Sequence, residues 1–408
     1  MSEVKQKNAS KKILQIALLA IGLIFLVGGG LFLYKKENPT GKIEVTASAE
    51  ALMADGYVPL SEAMKAGKYK GTIKDEAKAV FTKKDAGLTI SIEFLFDENV
   101  CIKNEYQFDL TNAMVWSEGM CFIKQDKLKE IINIEVVYED EALVIKPLEY
   151  DVHEWTTAFA PLVAHAGGGY RHGGKETTYT NSLDAIIQNY DLGHRVFEID
   201  FRLTSDKELA AIHSWKDENG ENIKMTAAQW KEHGEVKGVQ CQTILLGDVL
   251  DQMVINKDMF LVTDTKTAKV GKNMKREFES IKSEAMKRDP ELLQRIIPQI
   301  YNIDMYTVVT EIYPFQSIIF TLYKAEESDE EILDFMAAHD DIKVITTRGN
   351  EKGRLDLVGP LGERDKLVYA HTLNKRKEIE AMHKLGVYGI YTDFILPSDW
   401  ETYMGIAN

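Results

Sequence analysis

The chemistry that this sequence could support begins with two acidic residues, Glu198 and Asp200, inside the apolar run Val-Phe-Glu-Ile-Asp-Phe. Side chains two positions apart on a strand point to the same face, and two buried carboxylates repel each other unless a proton or a cation neutralises them. Asp264, which ends another apolar run, offers a third oxygen ligand. Oxygen-only ligand sets are typical of hard cations rather than zinc. We therefore predict that these three residues bind one divalent cation, Ca²⁺ or Mg²⁺; the alternative is a solvated pair of surface carboxylates.

Two histidines end apolar runs in the same way. His165 ends Leu-Val-Ala-His, and His213 ends Leu-Ala-Ala-Ile-His. Because imidazole exchanges protons near neutral pH, we predict that this pair performs acid–base catalysis; a hydrogen-bonded structural role is the alternative. Lys266, shortly after the third carboxylate, is predicted to bind a phosphate, or else to be an ordinary surface lysine. His172 and His194 are predicted to take no part.

The elements that must position these residues are short apolar runs that alternate with amphipathic helical stretches from Pro161 onward. This alternation predicts βα units around a parallel sheet. One run, residues 209–213, follows its predecessor too closely for a parallel crossover, so we predict that it returns antiparallel at the barrel mouth. The other eight predict an α/β fold, a (β/α)8 TIM barrel over residues 161–408, whose chemistry gathers at the carboxyl ends of the strands. The nine runs, of which LAAIH is the antiparallel one, are LVAH, RVFEID, LAAIH, MFLVTDTK, RIIPQIY, SIIFTLY, IKVITT, KLVYAHT and YGIYTDF.

Length, charge and cysteine content narrow the class of protein. A chain of 408 residues predicts two domains. The net charge of −15 argues against a nucleic-acid partner, because phosphates are neutralised by clustered lysine and arginine. Three cysteines are too few for a disulfide framework, although a bridge between Cys101 and Cys121 stays open for a protein outside the cell.

An uncharged stretch, ILQIALLAIGLIFLVGGGLFLY, occupies residues 13–34. A helix of this length spans about 30 Å, the hydrocarbon thickness of a bilayer. A cleaved signal peptide is the alternative, but the stretch is long for one and no small-residue cleavage site lies close behind it. More lysines precede the stretch than follow it. The positive-inside rule therefore predicts a single-pass plasma-membrane protein with a cytoplasmic tail at 1–12 and its main body outside the cytoplasm.

Residues 35–41 are predicted to form a linker, and residues 42–150 a small β-rich domain. Apolar residues alternate in LTISIEFLF, which is typical of a strand with one buried face. The runs VCIKNEYQFDL, IINIEVVY and ALVIKPL are also strand-like. This part of the sequence contains no recognisable set of catalytic residues, and we predict an accessory or spacer role.

Short motifs of the second part follow one another in a defined order. They are His165-Ala166-Gly167, Thr180-Asn181-Ser182, Glu198-Ile199-Asp200, Thr204-Ser205-Asp206-Lys207, Ile212-His213, Asp264-Thr265-Lys266, His371-Thr372-Leu373-Asn374 and GVYGIYTD at 386–393. In order and spacing they resemble the glycerophosphodiester phosphodiesterase family, related in fold to the phosphatidylinositol-specific phospholipases C. The resemblance covers residues 161–397 and rests on the ordered set rather than on any single motif.

The resemblance implies cleavage of a phosphodiester whose alcohol carries a neighbouring hydroxyl, with one divalent metal on the three carboxylates. That hydroxyl would attack phosphorus while one histidine accepts its proton and the other protonates the leaving oxygen. We assign His213 as the base and His165 as the acid. The implied enzyme is a phosphoric diester hydrolase.

Departures from the family pattern leave the substrate open between a glycerophosphodiester, a wall polymer with glycerol phosphate units and a lipid headgroup. Ala166 stands where the family has arginine, His371 where it has tryptophan, and Asp264 where it has glutamate. Arg171, in the glycine-rich loop, is predicted to supply the missing charge, and the glycines to shape a loop that faces the phosphate. The predicted substrate-binding residues are Lys266, Arg171, Asn181 and His371.

Two other functions stay open. The missing arginine favours a non-catalytic surface protein that uses the barrel as a binding scaffold. A phospholipase C-like lipid enzyme is less consistent with the sequence, because such enzymes generally lack the three carboxylates.

Overall fold

A computed structural model of the protein describes residues 24–27, 30–33, 47–85, 88–117, 119–139, 142–147, 154–217 and 219–403. The chain divides into two compact units, Met1–Glu149 and Tyr150–Asn408. Each unit is described by itself below.

The predicted membrane helix at 13–34 lies mostly outside the described residues, as do the tail at 1–12 and the linker at 35–41. The described parts of 13–34 are two strands, Ile24–Val27 and Gly30–Leu33, which pair antiparallel. In the part of the chain that the structure describes, no helix has the length and apolar character needed to cross a bilayer. The membrane anchor stays a prediction.

The first unit is rich in antiparallel sheet. Its largest sheet is a five-stranded meander in which each strand pairs with the next along the chain. The meander strands are Lys70–Ile73, Lys78–Asp85, Leu88–Leu95, Val100–Lys103 and Tyr106–Asp109. A second sheet contains Tyr57–Pro59, Met120–Lys124 and Met114–Ser117, and a hairpin contains Ile134–Glu139 and Ala142–Pro147. The described helices of this unit are Ala47–Ala54, Leu60–Ala66 and Gln125–Ile131.

The alternation predicted in the third meander strand is present, since Ile90, Ile92 and Phe94 are all fully buried. Cys101 and Cys121 are buried as free thiols, and burial raises the pKa of both. The open possibility of a Cys101–Cys121 bridge is therefore not realised in this structure.

The second unit contains a closed barrel of eight parallel strands. The first strand pairs with both the second and the last, which closes the ring. The strands are β1 Leu162–Ala164, β2 Val196–Leu203, β3 Phe260–Asp264, β4 Ile296–Ile300, β5 Ile319–Thr321, β6 Val344–Arg348, β7 Leu367–His371 and β8 Gly389–Thr392. The predicted (β/α)8 barrel and its eight strand runs are confirmed.

The predicted antiparallel return is also confirmed. Strand Leu209–Ala211 pairs antiparallel with the far end of β2, with Arg202 opposite Ala210. Two further hairpins are Tyr170–His172 with Lys175–Thr177, and Glu235–Val236 with Val239–Gln240.

Helices follow the barrel strands along the chain. The first, Leu183–Asp191, begins after the N-cap Ser182, whose hydroxyl accepts a hydrogen bond from the Ala185 N–H at 3.2 Å. The other α-helices are Ala227–His233, Leu246–Ile255, Lys272–Arg288, Ile303–Ile312, Asp329–Ala338, Val358–Gly362, Arg376–Lys384 and Pro397–Tyr403. Short 3-10 helices occupy Glu154–Thr156, His165–Gly167, Pro290–Gln294, Leu322–Lys324 and Leu355–Leu357.

The barrel core includes a residue that precedes the predicted start at 161. Trp155 is buried against Val163, Val196 and other strand residues, and its indole N–H donates to the Ser317 hydroxyl at 3.0 Å. The segment around Trp155 therefore belongs to the barrel core rather than to a linker.

Candidate active site

The three carboxylates predicted from their spacing lie together. Glu198 and Asp200 are on β2, and Asp264 ends β3 directly opposite Asp200 in the parallel register. All three side chains are buried, and one oxygen from each lies within 4.8 Å of the others. Burial and the adjacent charge of Asp200 raise the pKa of Glu198 to about 8. The barrel thus concentrates negative charge at one point, as the sequence predicted.

Lys266 lies between two of these carboxylates. Its ammonium group forms ion pairs with Asp200 and Asp264, and its backbone N–H donates to the Tyr301 hydroxyl at 2.9 Å. Burial opposes protonation of Lys266, but the surrounding carboxylates raise its pKa. Burial likewise opposes ionisation of Asp200, yet the ammonium group holds the pKa of Asp200 below its ordinary value. In this state Lys266 neutralises carboxylates rather than presenting a free charge.

The donor set fits a hard divalent cation. Glu198 Oε2 accepts a hydrogen bond from the Ala166 N–H at 2.8 Å, whereas its Oε1 is buried and has no hydrogen-bond partner among the described residues. Buried carboxylate oxygens are normally paired or bound to a metal. Three oxygens from three carboxylates match the preference of Ca²⁺ and Mg²⁺.

Asn181, a predicted substrate-binding residue, is occupied by a carboxylate instead. Its amide nitrogen donates to Asp200 Oδ2 at 2.9 Å, and its Oδ1 accepts from the Asp200 N–H at 2.9 Å. Asn181 is fully buried and is not among the residues that line the cavity. The structure therefore places it as a support that orients Asp200, and its contact with substrate stays a prediction.

His165 is held by Asp393, the residue after β8. The distance from His165 Nδ1 to Asp393 Oδ1 is 2.9 Å, and Asp393 Oδ2 accepts from the Asn374 amide at 2.7 Å. Burial opposes protonation of His165, but the hydrogen bond to Asp393 and the charge of Glu198 raise its pKa. An Nδ1–H donated to Asp393 leaves Nε2 for a proton transfer.

The two predicted catalytic histidines contact the same tyrosine. The Tyr179 ring centre lies 4.5 Å from that of His165 and 5.0 Å from that of His213. Burial lowers the pKa of His213, and burial followed by the charge of Asp393 raises the pKa of Tyr179 to about 12. Tyr179 was missed from the sequence because no motif or spacing pattern includes it.

A cavity of about 200 Å³ opens at the carboxyl ends of the strands. Both histidines, two of the carboxylates and Lys266 line it, and so does His371, whose contact with substrate stays a prediction. Burial and the cations His165 and Arg348 lower the pKa of His371 to about 3, so its ring is neutral. The lining residues are His165, Tyr179, Glu198, His213, Asp264, Lys266, Gln299, Thr321, Tyr323, Arg348, His371, Thr372 and Tyr391.

Arg171 is not among the residues that line this cavity. Its Nε donates to Glu176 at 3.0 Å, and its guanidinium group lies 5.0 Å from the centre of the Phe394 ring. The predicted replacement for the family arginine is therefore paired elsewhere, because the hairpin places Glu176 directly opposite it. The arginine that lines the cavity is Arg348, which the strand-end rule could have found at the end of β6.

Two glycines of the glycine-rich segment, Gly168 and Gly169, pack closely against protein. A Cβ at Gly169 would lie 2.1 Å from a ring carbon of Phe394, and one at Gly168 would lie 2.4 Å from the Asn189 amide. The Gly169 N–H donates to the Asp393 carbonyl at 2.6 Å. These two glycines allow the chain after His165 to lie directly on the segment that carries Asp393, and the predicted phosphate-facing role of the loop stays a prediction.

Comparison with known proteins identifies the family. The model of the glycerophosphoryl diester phosphodiesterase family matches residues 165–396, more than half of the 408-residue chain. The curated proteins include no match.

Three of the matching solved structures show the degree of similarity in sequence and structure. A glycerophosphodiester phosphodiesterase from Parabacteroides distasonis is 18% identical and has a TM-score of 0.47, with 61% of this chain and 98% of that one covered. A glycerophosphodiester phosphodiesterase from Thermotoga maritima is 16% identical, with a TM-score of 0.44 and coverage of 60% and 98%. An Oleispira antarctica phosphodiesterase in complex with the product sn-glycerol-3-phosphate is 13% identical, with a TM-score of 0.45 and coverage of 61% and 98%.

Proposed function

The chain belongs to the glycerophosphoryl diester phosphodiesterase family, a family of phosphoric diester hydrolases, and from this premise we propose a metal-dependent phosphodiesterase with a histidine acid and a histidine base. Its substrates would be glycerophosphodiesters, or glycerol phosphate groups of a lipid or wall polymer, outside the cytoplasm. The observation that supports this most directly is one cavity lined by His165, His213, Glu198 and Asp264.

Glu198, Asp200 and Asp264 would hold the divalent cation. When bound, such a cation stabilises negative charge on the phosphoryl oxygens of the substrate. The contribution of the chain is to keep three carboxylate oxygens converged, with Asn181 fixing the orientation of Asp200 through two hydrogen bonds. Lys266 would then be released from part of its ion pairing and could contact the phosphate.

The proposed reaction is an attack by the glycerol hydroxyl next to the phosphoester. His213 accepts the hydroxyl proton as the hydroxyl oxygen bonds to phosphorus. The bond between phosphorus and the leaving alcohol oxygen breaks, and His165 donates a proton to that oxygen. Water then opens the resulting cyclic phosphate, with the two histidines in reversed roles.

The assignment of roles follows from the partners of each ring. The Asp393 carboxylate beside His165 Nδ1 stabilises the protonated imidazole, as an acid requires. His213 is held toward the neutral form by burial, as a base requires.

Leaving-group chemistry tests the assignment. With glycerophosphoethanolamine, His165→Ala and His213→Ala should each lower kcat by about 100-fold or more, the typical contribution of a general acid or base. With a nitrophenyl ester of glycerol phosphate, whose phenolate leaves without protonation, His165→Ala should recover most of its rate and His213→Ala should not. Equal losses on both substrates in both variants would reject the assignment, and wild-type rates in either variant would reject the mechanism.

A non-catalytic binding protein is the second candidate, and Ala166 in place of the family arginine favours it. Purified protein supplied with Ca²⁺ or Mg²⁺ distinguishes the two. Retention of a glycerol phosphate polymer without hydrolysis of any phosphodiester would favour the binding protein.

A further inference from the structure

Arg348 is a cation in the cavity that the proposed reaction does not use. It is the last residue of β6, it is partly buried, and its guanidinium group lies 5.8 Å from the centre of the Tyr323 ring. No carboxylate in the described part of the chain forms an ion pair with it. A partly buried guanidinium group is most stable with an anion, which it can bind through two parallel hydrogen bonds.

The other cations near the cavity mouth already have partners. Lys266 is paired with Asp200 and Asp264, and Arg171 is paired with Glu176. Arg348 lines the cavity without a carboxylate partner among the described residues, so it can bind an anion in addition to the phosphate that Lys266 would contact once a cation is bound.

The barrel topology separates Arg348 from the carboxylates. In the ring of eight strands, β6 lies four strands from β2 in either direction, so Arg348 and the Glu198–Asp200 pair belong to opposite walls. One wall of the cavity carries the carboxylates and the catalytic histidines. The other carries a positive charge beside the neutral ring of His371.

A ligand that satisfies both walls must carry two anionic groups at a short distance. The cavity of about 200 Å³ accepts only a small compact group, so the second charge must lie close to the reacting phosphate. A phosphate on the other end of the same glycerol unit meets this requirement.

On the basis of the proposed function, we propose that Arg348 binds a second phosphate and selects substrates in which one glycerol unit is phosphorylated at both ends. Such units are the repeat of a glycerol phosphate chain. A phosphodiester with a single phosphate has no second anionic group for Arg348 to bind.

Binding of two product-like ligands tests this without turnover. Protein supplied with Ca²⁺ or Mg²⁺ should bind glycerol 1,3-bisphosphate about 10–100-fold more tightly than glycerol 3-phosphate, the range expected for charge-assisted hydrogen bonds. Isothermal titration calorimetry measures both constants. In Arg348→Gln the preference should fall to within a few-fold, and in Arg348→Lys it should be intermediate. The control Lys352→Gln removes an exposed charge from the loop that follows the same strand, and should keep the full preference.

Kinetics provide a second readout. The KM ratio between glycerophosphoethanolamine and a short glycerol phosphate oligomer should favour the oligomer in the wild type and decrease by about 10-fold or more in Arg348→Gln. Equal binding of both ligands by the wild type, or a preference unchanged in a folded Arg348→Gln, would overturn the inference. A wild type that hydrolyses neither substrate would instead reject the proposed function.

Discussion

Glu198 is a buried carboxylate of the candidate metal site in which one oxygen lacks a hydrogen-bond partner in the described part of the chain. One of its oxygens accepts the Ala166 N–H, and the other is buried without a hydrogen bond from the described residues. An amide in its place would keep the shape of the side chain but would bring an N–H group into a site built from oxygens.

We therefore expect Glu198→Gln to weaken binding of Ca²⁺ or Mg²⁺ by at least about 10–100-fold, the loss caused by removing even a supporting partner of a ligand. Calorimetric metal titration and circular dichroism would show lost binding with a retained fold. Glu277→Gln is the matched control, because Glu277 is also a buried glutamate with one oxygen that accepts from the Thr267 hydroxyl at 2.8 Å and one without a partner among the described residues, but it is outside the three-carboxylate set. Stoichiometric metal in Glu198→Gln would contradict the prediction.

The segment that joins β1 to helix Leu183–Asp191 also positions His165, the proposed general acid. The Gly169 N–H bonds the Asp393 carbonyl, and there is no room for a Cβ beside the Phe394 ring. Gly168 and Gly169 therefore allow close packing of the chain after His165 against the segment after β8.

Gly169→Ala should push Phe394 and Asp393 away from this segment. We expect a loss of about 1–3 kcal/mol in the free energy of unfolding, as overpacking typically causes, and a lower kcat because His165 loses its aligned carboxylate. Gly271→Ala is the control, since a Cβ there would meet no atom within 4 Å. Chemical denaturation and steady-state kinetics measure the two effects, and a Gly169→Ala protein with wild-type stability and kcat would refute the packing argument.

Strand ends were the features most predictable from sequence. The alternation of apolar runs with helical stretches predicted all eight barrel strands. Polar residues at or near the ends of these runs predicted that His165, Glu198, Asp200 and Asp264 lie at one mouth of the barrel. Side-chain pairing was not predictable, because it depends on distances between residues far apart in the chain. The pairing of Arg171 with Glu176 and the support that Asn181 gives to Asp200 therefore emerged only from the folded contacts.

His194, which precedes β2, makes the stability of the folded barrel depend on pH. It is 2% exposed, its Nδ1 has no hydrogen-bond partner among the described residues, and burial lowers its pKa to about 4. The folded barrel thus holds His194 neutral, whereas the unfolded chain protonates it at its ordinary pKa of about 6.5. Stability contributed by this group is present above the unfolded pKa and is lost as the pH falls from about 6.5 toward 4.

His194→Gln removes the titrating group. Between pH 7 and pH 5 the wild type should lose about 1–2 kcal/mol more unfolding free energy than this variant. Urea unfolding at both pH values measures the difference, and the exposed His383→Gln should behave as the wild type. An identical pH dependence in wild type and His194→Gln would show that His194 does not contribute.

At the scale of the whole molecule, the net charge of −15 and the charge inside the cavity have opposite effects on the binding of an anionic substrate. The overall charge disfavours polyanions at long range, whereas Arg348 provides a local positive charge inside the mouth. A glycerol phosphate chain would therefore be bound through one doubly phosphorylated unit rather than along an extended surface, and binding should strengthen as added salt screens the acidic surface.

The cellular location of the protein depends on residues 13–34, which carry no charge and follow a lysine-rich tail. Because a helix of that length can cross a bilayer, we expect the full-length protein to sediment with membranes and to resist extraction by alkaline carbonate. Protease added to intact cells should degrade residues 154–403 while leaving the short tail protected. A variant lacking residues 1–41 should appear in the soluble fraction with its phosphodiesterase activity retained. Recovery of the natural protein as a soluble secreted form beginning near Glu50 would show instead that the apolar stretch is a cleaved leader.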